Sequence, residues 1–169
     1  VKCSDIQFIS YDLPRVLLFE DEKYTLVDTL KMGSQESIEA HRLSFADTKH
    51  PSTSKEAFYY PDGQLVYDTV KRWIGGSMKF HLKGIVKGRK TLIVRRTDIY
   101  QGNYSVEITL QGKNKYVMNI DGQDSKNRWR NVFLNISEGE ITEYSPEIEF
   151  TIGEKGRDNS ATVWIYQLL

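Results

Sequence analysis

Apolar residues in this sequence recur at every second position over short runs, and turn-forming residues separate the runs. Period two is the repeat of a β-strand, because successive side chains point to opposite faces. In residues 77–83 (SMKFHLK), Met78, Phe80 and Leu82 share one face, and Lys79, His81 and Lys83 share the other. In residues 103–111, Tyr104, Val106, Ile108 and Leu110 align, and in residues 147–153 Ile148, Phe150 and Ile152 align. Residues 91–94 are continuously apolar, and residues 161–169 are apolar on both faces, as expected of a strand inside a covered sheet. Met78, Phe80, Leu82, Val106, Ile108, Phe150, Val163 and Ile165 are the expected core.

Asp62-Gly63, Gly75-Gly76, Lys87-Gly88, Gln111-Gly112 and Asp121-Gly122 supply turns. Residues 47–56 (DTKHPSTSKE) read as a loop, and residues 153–160 (GEKGRDNS) as a hairpin before the last strand. The best helical segment, residues 34–41, is short. The long crossover helices that a parallel sheet requires are missing. The predicted fold is all-β, a two-sheet antiparallel β-sandwich of jelly-roll type. The 169 residues suffice for one domain with a two-layer core, its first strands within residues 1–30.

Twenty-three basic residues balance 23 acidic ones. A zero net charge argues against nucleic acid as partner, whose phosphates demand a basic surface. No segment approaches the ~20 apolar residues of a membrane span. The single cysteine, Cys3, admits no intrachain disulfide. The sequence begins with Val rather than Met, as a processed or cut chain would, and Cys3 is a candidate for lipidation.

Catalytic patterns are lacking: no G-x-S-x-G, Walker loop, G-x-G-x-x-G or H-E-x-x-H occurs. His41 follows Glu36 and Glu39 closely enough for a local contact, His50 precedes Pro51, and His81 sits between two lysines. Acidic residues cluster at 20–22 and 138–149, but pairs of carboxylates alone do not specify a glycosidase. No cofactor is implied. Asp121, Asp124 and the Asp158-Asn159 segment are the only calcium candidates, without EF-hand spacing.

Aromatic and basic residues mix in three places: Lys71-Arg72-Trp73, Arg95-Arg96 with Tyr100 and Asn103, and Arg128-Trp129-Arg130-Asn131. Sugars are held by an aromatic ring against their C–H face, with planar polar groups on their hydroxyls. Trp73, Arg96, Tyr100, Trp129 and Arg130 are therefore the candidate ligand-binding set, expected at strand ends on one edge of the sandwich. The competing reading makes both tryptophans packing residues and pairs the arginines with neighbouring acids.

Residues 32–43 (MGSQESIEAHRL), 73–82 (WIGGSMKFHL) and 92–112 (LIVRRTDIYQGNYSVEITLQG) resemble, in order, segments of the C-terminal β-sandwich of the β-L-arabinofuranosidase family of glycoside hydrolases. The resemblance covers roughly residues 30–169. It departs from the pattern at Ser37-Ile38 and at Gln111-Gly112. That family's catalytic residues lie in a separate barrel, which has no match here. The resemblance implies a galactose-binding-like accessory module of a bacterial, exported glycan-degrading system. Its partner is carbohydrate or a catalytic domain, and its place extracellular or periplasmic, with surface anchoring open. The alternatives are a structural or protein-interaction sandwich and a small stand-alone glycoside hydrolase.

Overall fold

The structure, a computed structural model, describes residues 12–100 and 102–169. Cys3 lies outside them. Ten strands and one short helix follow in order: β1 (Val16–Phe19), β2 (Glu22–Leu30), α1 (Gln35–Ala40), β3 (Ser44–Ala46), β4 (Lys49–Tyr59) and β5 (Leu65–His81). Then come β6 (Thr91–Asp98), β7 (Tyr104–Leu110), β8 (Asn114–Ile120), β9 (Trp129–Ile136) and β10 (Glu147–Gln167).

All the strand pairs are antiparallel, and the long β10 belongs to two layers. Its first part, residues 147–152, lies between β7 and β5, giving the order β8-β7-β10-β5-β3. Its last part, residues 163–167, lies between β2 and β6, giving β1-β2-β10-β6-β9. One apolar cluster draws on both layers, so they face each other: Phe80, Ile108 and Phe150 from the first meet Leu30, Ile93 and Ile165 from the second. The fold is an all-β sandwich. The eight residues expected in the core are all buried. Phe80 and Phe150 meet edge to face at 5.6 Å, a favoured aromatic geometry.

Several sequence expectations are corrected. Residues 153–160 are not a hairpin. β10 runs through them, with a register shift between Ile152 and Arg157 where the chain bows out of the ladder. Residues 47–56 are mostly strand, because β4 pairs with β5 from Ser52↔Arg72 to Tyr59↔Leu65. Pro51, which has no N–H to give, falls at the register shift of that ladder. Gly75-Gly76 is a kink inside β5 rather than a turn, with φ of 63° and 72°. It lets β5 leave the first layer and form a hairpin with β4. That hairpin covers a separate cluster of Tyr60, Val66, Val70, Trp129 and Ala161.

α1 starts where expected: the Ser34 hydroxyl accepts the Ser37 N–H at 3.2 Å, a standard N-cap. The His41 ring bonds Asp28 and Ser37 rather than the carboxylates of Glu36 or Glu39. As the residue after the helix it turns to β2, where Nε2 lies 2.8 Å from Asp28 and Nδ1 donates to the Ser37 carbonyl at 2.6 Å. Burial lowers its pKa, and the bonds to Asp28 and Ser37 raise it by more, so the imidazole holds its proton above the ordinary range.

Candidate functional site

The site is built on one buried carboxylate. Asp98 closes β6, opposite Trp129 of β9, and its side chain is fully buried. Oδ2 accepts from Arg72 Nη1 at 2.8 Å and from Arg128 Nη2 at 2.6 Å. Oδ1 accepts from Arg128 Nε at 3.0 Å and from the Tyr100 N–H at 3.1 Å. Burial pushes the carboxyl's pKa up, but the bonds from Arg128, the Tyr100 N–H and Arg72 outweigh it and hold it below the ordinary value. Asp98 thus stays ionised and fixes both guanidinium planes and the backbone at Tyr100.

Asn159 of β10 completes the frame. Its Oδ1 accepts from Arg72 at 3.0 Å, and its amide donates to the Asp98 carbonyl at 3.1 Å. The Arg128 guanidinium lies between two rings, 4.1 Å from the centre of Phe58 and 4.6 Å from that of Tyr100. Such stacking is favourable to a cation and restricts its motion. Tyr100 is 47% exposed.

These groups border a groove of about 550 Å³. Arg72, Arg128, Asn159 and Tyr100 line it together with Glu56 and the exposed Arg157 and His50. Tyr100 also borders a second depression, of about 560 Å³, whose other walls are Gln123, Asp124 and Ser125. The groove therefore offers planar hydrogen-bonding groups beside an exposed aromatic ring.

The five residues singled out from sequence fall in different places. Tyr100 is at the rim. Trp129 is buried under the β4–β5 hairpin, donates to the Val66 carbonyl at 2.9 Å and meets Phe58 edge-on at 5.0 Å. Arg96 is buried beside it, bonded to Tyr60 and Asp68 at 2.7 Å each. Neither offers a surface to a ligand in this conformation. Arg130 donates to the Asn127 and Trp129 carbonyls and approaches Asp124 at 3.4 Å, so it touches the second depression only through Asp124. Trp73 borders the groove but is 1% exposed, packed edge-on against Phe45 in the main core. It lies in the middle of β5, not before a strand. Arg95 and Arg96 likewise do not follow a strand. They lie within β6, buried because each has an acidic partner.

Sequence reasoning passed over Arg72, Asp98, Arg128, Arg157 and Asn159 as site residues. The signal for Arg72 was present: in a strand, neighbours face opposite ways, so a buried Trp73 turns Arg72 outward. No local signal marked Asp98, whose partners come from β5 and the 121–128 loop.

Of the calcium candidates, Asp158, Asn159 and Asp124 are engaged within the chain. Asp158 is not in a loop but in β10, fully buried, bonded to Arg95 at 2.5 Å and to the Tyr104 hydroxyl at 3.0 Å. Asp124 accepts the Lys126 and Asn127 N–H groups at 2.9 Å each. Among the described residues, no three His, Cys, Asp or Glu side chains gather as metal ligands, and no helix is long and apolar enough to cross a membrane.

No protein-family pattern matches the sequence, and no curated protein matches it. Solved structures do resemble the fold. A family 35 carbohydrate binding module from Clostridium thermocellum superposes with a TM-score of 0.51 at 14% identity, over 73% of this chain and 90% of that one. A CBM35 from Cellvibrio japonicus does so with a TM-score of 0.50 at 10% identity, over 81% and 90%. At such identity the likeness is one of fold.

Proposed function

We propose that the chain is a non-catalytic carbohydrate-binding module whose ligand seat is the groove beside Tyr100. The observation that carries the proposal is the exposed Tyr100 ring, backed by Arg128, next to Arg72 and Asn159 on a frame fixed by Asp98. A sugar ring stacks its C–H face on an aromatic ring, and guanidinium and amide groups bond its hydroxyls. Because the frame is already ordered, binding loses little side-chain freedom. The fold is shared with proteins described as carbohydrate-binding modules, but a fold alone does not determine function. Arg96 and Trp129 support the site from beneath, Arg130 holds Asp124, and Trp73 backs the groove wall. In this reading the module belongs to a bacterial glycan-degrading system outside the cytoplasm, bound to a catalytic domain as in the arabinofuranosidase-like sandwiches or acting beside one.

The burial of Trp73 and Trp129 favours a second reading, a sandwich that only braces a neighbouring domain. A glycan array followed by titration calorimetry separates the two. Carbohydrate binding that falls at least tenfold, about 1.4 kcal/mol, in Tyr100→Ala with an unchanged melting temperature supports the groove. An array without a single retained glycan leaves the bracing role, and a Tyr100→Ala variant that binds as the wild type does overturns the groove as the seat.

A further inference from the structure

The groove does not end at Tyr100. Tyr100 is a wall of both the 550 Å³ groove and the 560 Å³ depression, so one ring divides two concavities. Each is within the ~300–1,000 Å³ typical of small-molecule clefts. The far side is also held by hydrogen bonds within the chain. The Gly122 N–H donates to the Asn103 side chain at 2.6 Å, tying the 121–128 loop to the segment after Tyr100. Asp124 caps two backbone N–H groups of its own loop and is approached by Arg130. Gln123 crosses Gly102, where a Cβ would sit 2.8 Å from its amide nitrogen. Gln123 and Ser125 are both exposed. They bring an amide and a hydroxyl, the groups that bond sugar hydroxyls.

Resting on the reading above, we infer that the seat spans both concavities and takes an oligosaccharide chain. One unit lies beside Arg72, Arg128 and Asn159, and the chain passes over Tyr100. A further unit bonds Gln123 and Ser125. The two sides differ in chemistry. The near side carries Arg72, Arg128 and Arg157 against Glu56 and Asp98. Among the described residues, the far side has no cation on its walls and one carboxylate, Asp124. The chain is thus read with a direction, its more electron-rich unit towards the arginines.

Titration calorimetry with xylo-, cello- and galacturono-oligosaccharides of one to six units tests this on the whole chain. For the series that binds, affinity should rise roughly tenfold or more from one unit to three and then level off. A Gln123→Ala/Ser125→Ala variant, changed only at exposed positions, should lose most of the gain in affinity from one unit to three. Affinity independent of length, or an equal loss at every length in the variant, overturns the two-sided seat and leaves carbohydrate binding standing. Absence of binding across all three series and the glycan array overturns both.

Discussion

A single side chain, Asp98, decides whether the groove has a defined shape. Its carboxylate is buried, while Arg72 and Arg128 remain about a quarter exposed. Two cations kept near the surface lose less hydration than two buried ones, and the charge that is fully buried is the one with the most partners. Asp98→Asn preserves the shape but leaves two guanidiniums facing a neutral amide. The expected loss is about 3 kcal/mol, read from urea unfolding, together with weaker glycan binding because both planes lose their anchor. The folded-state pKa of Asp98 is below its ordinary value. Its contribution is therefore complete above the unfolded value, about 3.9, and disappears as pH falls through the lower folded one. The stability gap between wild type and Asp98→Asn should stay constant from pH 7 to about pH 4 and narrow below that. A gap that closes already between pH 7 and pH 5 would show that Asp98 is not held by these partners.

At the scale of elements, β5 changes partner from β4 to β3 along one edge, β10 changes from β5 and β7 to β2 and β6, and each needs an irregularity to do so. β5 has Gly75-Gly76, and β10 has the register shift after Ile152. Gly76 is the tightest point: at φ 72° a Cβ would run into the Ala46 carbonyl oxygen and lie 2.6 Å from the Asp47 carbonyl carbon. Gly63, in the β4–β5 turn at φ 89°, has nothing within 4 Å of such an atom. Both glycines relieve a backbone cost of roughly 1–2 kcal/mol, but only Gly76 also avoids a collision. Gly76→Ala should lower unfolding stability by about 2 kcal/mol more than Gly63→Ala, since overpacking typically adds 1–3 kcal/mol. Equal losses would mean that β3 and β5 move apart freely. The same two strands mark what the sequence could disclose. Alternation placed Met78, Phe80, Val106 and Phe150 correctly, because each faces one uniform apolar layer. Local composition misread residues 47–56 and 153–160, because their strand state depends on distant partners in β5. In the site, Tyr100 was legible as an aromatic just beyond a strand. Asp98 was not, since its burial is created by arginines 26 and 30 positions away.

The described residues form three apolar clusters, and each contains one tryptophan: Trp73 between the layers, Trp164 on the outer side of the second layer, and Trp129 under the β4–β5 hairpin. β10 passes through all three. It gives Phe150, Val163 and Ile165 to the first, Trp164 and Tyr166 to the second, and Ala161 to the third. A strand that alternates between clusters cannot leave one without exposing residues of another, so the clusters should melt together despite the chain's length. Only the hairpin cluster has an independent way out, because β4 pairs with β5 alone; local opening there need not disturb the two layers. Three variants, each keeping one tryptophan and carrying Phe at the other two positions, place a fluorescent reporter in each cluster. In each, the fluorescence midpoint in urea should coincide with the far-ultraviolet circular dichroism midpoint of the same protein. If fluorescence changes at lower urea only in the variant retaining Trp129, the hairpin opens before the sandwich. The groove would then lose Glu56 and Arg72 together with the Phe58 side of the Arg128 stack while both layers remain folded, and recognition would be less stable than the fold that carries it.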